Sequence, residues 1–283
     1  MQLWRLNRRN HPNFPMFAEP EEAAKALAIS RDFCHRKISS FNEAEKFAVD
    51  QDKPLAILAE AKARQAEQLT TAETFEILTS YSIPLAPWGQ AKSSQEASIR
   101  ARELGFPVAM KVMGEQFIHK SDVGGVLLNL NNEASVRDGY DRLAAIIKKT
   151  KSKPMEKAVL VQRMVSQGYE VFVGAKQDPV FGPIILAGLG GVYVEIFGDV
   201  THRVAPVSAA EARRMFGEIH GSQLLKGVRG EPPGDLEAAI NIVQRISQLV
   251  CDLPQIQELD LNPLKVLPRG EGCLVVDCRM VLL

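Results

Sequence analysis

The sequence carries no net charge. Its 34 basic residues are balanced by 34 acidic ones, so no global electrostatic field draws the chain to nucleic acid or to an anionic membrane. Any anion must therefore be bound by a local arrangement of side chains. We expect no nucleic-acid partner and no membrane partner.

Long apolar runs are also lacking. Although 46% of the residues are hydrophobic, no stretch approaches the ~20 consecutive apolar residues of a membrane-spanning helix. The first segment, MQLWRLNRRNHPNFP, is basic but has no apolar centre and no small-residue cleavage site, unlike a secretory signal. These features together predict a cytoplasmic protein.

Cysteine is scarce. The four cysteines form no CxxC pair and have no histidine at ligand spacing, which argues against a structural zinc site. Reduced thiols are the expected state of all four, which are Cys34, Cys251, Cys273 and Cys278.

What the sequence does contain is a mixture of helical and strand patterns over 283 residues, enough for about two compact units. The fold class is therefore α/β or α+β with two lobes. The segment 84–91, the helix 94–104 and the strand after it resemble a β-α-β unit. The predicted helices are 19–36, 54–68, 71–81, 94–104, 133–151, 208–217 and 234–251. The predicted strands are 107–112, 126–130, two within 158–177, one in 181–191 and one in 201–207. The end of the chain is predicted to form a β-hairpin or a pair of adjacent strands, with PRGEG as the turn.

The segment HKSDVGGV places His119 shortly before a double-glycine turn, Gly124 and Gly125. A histidine beside a flexible glycine turn can lie against phosphate and carry a phosphoryl group. Short Gly-Gly turns near a lysine also occur in ordinary hairpins. The segment alone does not decide between the two.

Lys111 interrupts the apolar strand PVAMKVM. A lysine at such a position is costly unless its charge meets an anion or a carboxylate, and phosphate is a natural partner. The alternative is a lysine on an edge strand that extends its ammonium group to solvent.

The segment QELDLNPL carries three oxygen-bearing side chains at alternate positions, Glu258, Asp260 and Asn262, which an extended strand would place on one face. Asp277 follows LVV in the predicted partner strand. Carboxylate and amide oxygens that converge across a hairpin suit Mg²⁺. The alternative is a solvated polar face, which fits Asp277 poorly because three apolar residues precede it.

Taken together and in this order, the strand lysine, HKSDVGGV, VLVQRMV, the segment from GYEVFVGAKQ to THRVAPV, ELDLNPL and VVDCR resemble the ATP-grasp domain of NDP-forming acyl-CoA synthetases. The sequence is more distantly similar to the β subunit of succinyl-CoA synthetase. The resemblance covers about residues 66–283. It implies a two-lobed ATP-grasp fold, with lobes at about 66–160 and 161–283, preceded by a helical N-terminal extension over 1–65.

The resemblance also implies roles for individual residues around ATP or ADP. Lys111 corresponds to a lysine that contacts the phosphates, and the loop with Gly124 and Gly125 covers them. His119 corresponds to the histidine that takes the phosphoryl group before ADP does. Asn262 and Asp277 correspond to ligands of Mg²⁺, with Asp260 close by.

At the base end, the resemblance implies that the main chain of an inter-lobe hinge holds adenine, and that an acidic residue, Glu170, contacts the nucleotide. Gln162 stands where an acidic residue is common, a difference that affects the adenine contacts. The hinge residues are Gln162, Arg163, Met164 and Val165.

The implied reaction converts an acid, ATP and CoA to acyl-CoA, ADP and phosphate through phosphohistidine. No GxGxxG fingerprint follows an N-terminal strand, so we expect a separate CoA-binding ligase subunit or domain that carries another phosphohistidine. Residues 14–36 resemble the segment that ends this domain in fused enzymes. The chain is therefore expected to act in a hetero-oligomer or a fused enzyme.

Two other classes of function remain open. The same module occurs fused to lysine acetyltransferases, where it is a regulatory and often non-catalytic binding module. A carboxylate–amine ligase of the wider ATP-grasp group is a third possibility. The joint presence of His119, Asn262 and Asp277 favours a catalytic module over a regulatory one.

Overall fold

The computed structural model describes residues 17, 19–39, 44–113, 123–149, 158–190, 199–227 and 230–283. The chain divides into two compact units, 1–43 and 44–283. The first unit contains helix α1, Pro20–Ser39, in the region predicted to be helical. A proline at the first position and acidic residues in the first turn, Glu21 and Glu22, suit the positive end of the helix dipole.

The second unit opens with helices α2, Asp52–Ala63, and α3, Thr71–Ser80. The prediction that α2 reaches residue 68 is wrong. Thr70 caps α3 by accepting a hydrogen bond from the Glu73 N–H, while the Glu73 side chain accepts from the Thr70 N–H. The helix α2 itself ends earlier, because Gln65 takes the left-handed conformation with a φ of +56° and its N–H donates to the Lys62 oxygen. The capping box keeps Thr70 extended at the start of α3.

A four-stranded sheet follows, with the strand order β1-β4-β2-β3 and antiparallel neighbours. The strands β1 and β2 run parallel, as a β-α-β unit requires, but β4 lies between them. Helices α4 and α5 accompany the sheet. The bounds are β1 Trp88–Ala91, α4 Ser94–Leu104, β2 Val108–Val112, β3 Val126–Leu130, α5 Glu133–Lys149 and β4 Val159–Arg163.

The two faces of this sheet differ in chemistry. One face packs on apolar residues of α4 and α5, and the two together form a small core. The sheet residues in this core are Val108, Met110, Val112, Val159 and Val161. The other face carries the alternate residues of β2 and β4, which are Ala109, Lys111, Leu160 and Gln162. Leu160 belongs to the larger core of the unit, so this second face is directed towards the rest of the molecule.

A six-stranded sheet has the order β10-β8-β5-β6-β7, with β9 paired to β8. The predicted closing hairpin is present as β8 and β9, and a third strand, β10, also pairs with β8. The bounds are β5 Tyr169–Asp178, β6 Gly182–Leu189, β7 Val200–Val204, α6 Ala209–Glu218, a 3-10 helix His220–Lys226, α7 Leu236–Asp252, β8 Ile256–Val266, β9 Cys273–Val275 and β10 Cys278–Leu282.

Helices α6 and α7 supply the apolar residues that pack with one face of this sheet, where Val171, Val173 and Leu259 are buried. The opposite face carries the alternating partners, among them Glu170 and Asp260. The pairing of β5 with β8 skips from Leu261 to Leu264, which makes a β-bulge at 262–263. Bulges of this kind often re-aim side chains beside active sites.

No helix within the described ranges combines the length and the apolar character needed to cross a membrane.

Candidate functional site

Lys111 is the centre of the candidate site. Its strand β2 lies inside the four-stranded sheet, and its side chain is only 6% exposed. The Nζ donates a hydrogen bond to the main-chain oxygen of Val276 at 2.9 Å and lies 3.4 Å from the Oδ2 of Asp277. The alternative of an edge lysine extending to solvent is therefore wrong. Lys111 instead connects the four-stranded sheet to the segment between β9 and β10.

Asp277 stands in the break between β9 and β10. Its Oδ1 accepts a hydrogen bond from the Cys278 N–H at 2.9 Å, and its main-chain oxygen accepts from the Asn262 N–H at 3.2 Å. Two of the predicted oxygen ligands, Asn262 and Asp277, are thus neighbours, and the Asn262 residue is exposed. The structure brings Lys111 to the same place.

Asp260 adds a third oxygen-bearing side chain beside this group. Burial raises the pKa of Asp260 to about 6, with smaller contributions from the negative charges of Glu258 and Asp277 and an opposing one from Arg279. Its Oδ1 is buried without a hydrogen-bond partner among the described residues. A carboxylate oxygen left unpaired beside other carboxylates fits a divalent cation, and carboxylate and amide oxygens are its preferred ligands.

The predicted glycine loop adjoins Lys111. The main-chain oxygen of Gly125 accepts a hydrogen bond from the Val112 N–H at 2.9 Å, and Gly124 has a φ of +66°, in the left-handed region. His119 lies outside the described residues.

Gln162 is buried at the end of β4, and neither Oε1 nor Nε2 has a hydrogen-bond partner among the described residues. The main chain beyond it is partly engaged: the Arg163 N–H donates to the Pro87 oxygen at 2.8 Å and the Met164 N–H to the Pro107 oxygen at 3.0 Å. These two bonds tie the predicted hinge to the four-stranded sheet. Val165 follows as a half-buried residue.

Glu170 lies on β5 opposite Lys265 of β8, and its Oε1 is 3.1 Å from the Lys265 Nζ. Its main-chain oxygen accepts a hydrogen bond from the Gly190 N–H at 2.8 Å. The sequence analysis missed both neighbours. Lys265 becomes visible only through the strand register, and the sequence GLGG at 188–191 is too common a pattern to single out Gly190.

The geometry is thus a lysine and two carboxylates, with Asn262 beside them, at the meeting of two antiparallel sheets, next to the residues of the predicted glycine loop and the predicted hinge. The class this defines is the ATP-grasp domain, whose family model matches residues 60–282.

The chain is also similar to individual proteins. It is 40% identical over 270 residues to the ADP-forming 4-hydroxybutyrate–CoA ligase of Nitrosopumilus maritimus, a match that covers 95% of this chain and 39% of that protein. It is 38% identical over 229 residues to the β subunit of the ADP-forming acetate–CoA ligase II of Pyrococcus furiosus, covering 81% of this chain and 97% of that subunit.

One solved relative is a dinucleotide-forming acetyl-coenzyme A synthetase 1 of Ca. Korarchaeum cryptofilum, in complex with coenzyme A and Mg-AMPPCP, with its phosphohistidine segment pointing towards the nucleotide binding site. It matches with a TM-score of 0.71 and 37% identity, covering 81% of this chain and 100% of that chain.

The chain therefore belongs to the ATP-grasp family, and its relatives are β subunits and domains of ADP-forming acyl-CoA ligases. The family resemblance and the fold class predicted from the sequence are confirmed. The chain spans 39% of the length of the N. maritimus relative.

Proposed function

We propose that this chain is the nucleotide-binding, phosphoryl-transfer component of an ADP-forming acyl-CoA synthetase. The observation that carries the proposal is the meeting of Lys111 with Asp277 and Asn262. The buried ammonium group of Lys111, the carboxylate of Asp277 and the main chain of Asn262 come together from distant parts of the chain, as binding of a metal–nucleotide complex requires.

In this proposal the nucleotide lies between the lobes at about 66–160 and 161–283. Lys111 contacts the phosphates, and the loop with Gly124 and Gly125 closes over them. At the other end, the hinge from Gln162 to Val165, which includes Arg163 and Met164, adjoins the base, and Glu170 contacts the nucleotide. Since the N–H groups of Arg163 and Met164 are already bonded within the chain, main-chain donors of the hinge beyond Met164 remain for the base.

Asn262 and Asp277 would hold Mg²⁺, with Asp260 beside them. When bound, the ion offsets the negative charge of the phosphates and so favours their transfer. The Oδ1 of Asp260, which is buried without a hydrogen-bond partner among the described residues, supports a cation at this place.

His119 is proposed as the phosphoryl carrier. In the direction of ATP synthesis, phosphate attacks the acyl carbon of acyl-CoA, the thioester bond breaks, and acyl phosphate and CoA result. A histidine nitrogen of the ligase subunit or domain then attacks the phosphorus, the bond between the acyl oxygen and phosphorus breaks, and the acid leaves. A ring nitrogen of His119 next takes the phosphoryl group as the first nitrogen–phosphorus bond breaks. The β-phosphate oxygen of ADP finally takes the group from His119, which gives ATP and free histidine.

The acyl-CoA steps are assigned to a CoA-binding ligase subunit or domain with its own phosphohistidine. The match covers 97% of the P. furiosus β subunit, which is therefore a separate chain of about this size. It covers only 39% of the N. maritimus protein, which is a much longer chain. We therefore expect this chain to work in a hetero-oligomer or as part of a fused enzyme in the cytoplasm.

A labelling experiment tests the proposal. The chain is incubated with Mg²⁺ and γ-labelled ATP, and the label is then exposed to acid and to base. We expect acid-labile, base-stable label that is absent from His119→Ala and retained in His202→Ala, a matched change of a histidine on β7. Nucleotide binding without label would instead indicate a regulatory binding module, and acyl phosphate formation without histidine label would indicate a carboxylate–amine ligase.

A further inference from the structure

Gln162 combines deep burial with unmet hydrogen-bonding capacity. The residue is 1% exposed, and neither atom of its side-chain amide has a partner among the described residues. An amide offers an acceptor oxygen and two donor hydrogens. Leaving them unsatisfied is costly, so buried groups of this kind call for an explanation such as a ligand.

The position of Gln162 relates it to Lys111. Gln162 lies between Trp88 of β1 and Ala109 of β2, and Leu160 lies opposite Lys111. Side chains at opposed positions of antiparallel strands share a face, so Gln162 and Lys111 lie on the same face of the sheet. They are one two-residue step apart along the strand direction, about 7 Å. Gln162 is on the side of the hinge, where the base belongs if Lys111 contacts phosphate.

Two main-chain donors of the predicted hinge are already used within the chain. The N–H groups of Arg163 and Met164 donate to the oxygens of Pro87 and Pro107, so they are not available to a ligand. Recognition of the base edge therefore depends in part on a side chain. Gln162 is a neighbouring residue whose amide has no hydrogen-bond partner among the described residues.

We propose that the side-chain amide of Gln162 hydrogen-bonds the substituent at position 6 of the purine ring and makes the site tolerant of adenine and guanine. This rests on the proposed nucleotide-binding function. Adenine presents a donor amino group at position 6 and guanine an acceptor oxygen. A half-turn of the amide exchanges its oxygen and its NH₂ group, so one glutamine satisfies either base. A carboxylate at the same position accepts only.

The test compares ADP and GDP on the full chain by titration calorimetry in the presence of Mg²⁺. For the wild type we expect dissociation constants within about tenfold of each other. Gln162→Glu should weaken GDP binding by roughly tenfold to a hundredfold, because the carboxylate and the guanine oxygen at position 6 are both acceptors. ADP binding should stay within about threefold, because the adenine amino group can donate to the carboxylate. The isosteric Gln162→Met should weaken both nucleotides by a similar factor of about tenfold.

Gln244 provides the matched control. It is also a buried glutamine whose Nε2 has no partner among the described residues, but it lies on α7, among the residues that pack with the other face of the six-stranded sheet. Gln244→Glu and Gln244→Met should leave the ratio of the two dissociation constants unchanged.

Three results would overturn the inference. They are a wild-type preference of more than about a hundredfold for one base, an unchanged ratio in Gln162→Glu, and unchanged affinities in Gln162→Met. If the wild type binds neither nucleotide, the proposed function falls together with the inference. If it binds ADP but the variants do not respond, only the role of Gln162 is rejected.

Discussion

The Nζ of Lys111 lies 3.4 Å from the Oδ2 of Asp277, so the group proposed to meet phosphate and a group proposed to meet the cation form an ion pair with each other. Both are drawn away from water, with exposed side-chain fractions of 6% and 28%. A metal–nucleotide complex that binds here replaces one ion pair by two, phosphate with Lys111 and the cation with Asp277. Cation and nucleotide should therefore bind cooperatively.

Asp277→Asn tests this coupling. In the wild type, Mg²⁺ should increase the rise in melting temperature that ADP produces, because ligands that bind only the folded state stabilise it. In the variant the increment due to Mg²⁺ should disappear, since the neutral amide is a poorer cation ligand. Differential scanning fluorimetry with ADP, with and without Mg²⁺, measures both quantities.

The control for this variant is Asp138→Asn, which makes the same change at an exposed position of α5. It should keep the full increment due to Mg²⁺. A full increment in Asp277→Asn as well would remove Asp277 from the cation site.

Gly190→Ala tests whether the position of Glu170 matters for the nucleotide. A Cβ at 190 would stand 3.0 Å from the carbonyl carbon of Glu170 and 3.1 Å from its Cβ. These distances are too short for an added methyl group, and a packed interior has no empty space to take it up. Glu170 must therefore move by a few tenths of an ångström. We expect ADP affinity to fall by about threefold to tenfold, a change of roughly 1 kcal/mol, measurable by calorimetry.

Gly217→Ala on α6 is the matched control, because nothing lies within 4 Å of a Cβ at that position. Its ADP affinity should equal that of the wild type. Equal affinities for both variants would mean that the placement of Glu170 does not limit binding.

Gly168 follows the predicted hinge and is held where only glycine fits. Its φ is +89°, and an added Cβ would lie 2.5 Å from the main-chain oxygen of Val266. Gly270 has a similar φ of +91° but nothing within 4 Å. Gly270→Ala should therefore cost only the strain of the left-handed conformation, about 1–2 kcal/mol, whereas Gly168→Ala should cost clearly more. Urea-induced unfolding of both variants measures the difference, and equal losses would show that the contact with Val266 relaxes freely.

The residues of the candidate site could be predicted from the sequence, but the contacts between them could not. Lys111 and Asp277 were identified from local evidence, since a charge within or after an apolar run is unusual wherever it occurs. Their meeting depends on how β2 packs on the segment between β9 and β10, 165 residues away from Lys111 at Val276. No periodicity in the chain encodes that distance.

Three other features could not be predicted from the sequence, each for a physical reason. The end of α2 is fixed by Gln65, whose left-handed φ of +56° interrupts the helical pattern of residues 64–68. The resemblance assigns Gln162 to a hinge that acts through its main chain, because a sequence does not reveal that this side chain is buried with no hydrogen-bond partner among the described residues. The pairing of Glu170 with Lys265 follows from the register of β5 on β8, which is fixed by the whole sheet.

Asp199 should contribute to stability in a pH-dependent manner. Its carboxylate accepts hydrogen bonds from the N–H groups of His220 and Gly221, each at 2.9 Å, and its Oδ1 is 3.1 Å from the His220 Nδ1. Partial burial acts to raise the pKa of Asp199, but these hydrogen bonds and the His220 ring outweigh it, so the pKa lies below the ordinary value of 3.8. The ionised form is therefore stabilised by folding.

A depressed pKa gives stability that is fully present above the unfolded-state pKa and is lost as the pH falls through the lower native pKa. Asp199→Asn removes this contribution. The difference in the free energy of unfolding between wild type and variant should be constant at neutral pH and shrink below about pH 4. Urea titrations of both proteins over this range measure it. A difference that stays the same at acid pH would assign the effect of the substitution to packing around Gly221, where space is limited by Leu189, and not to the charge of the carboxylate.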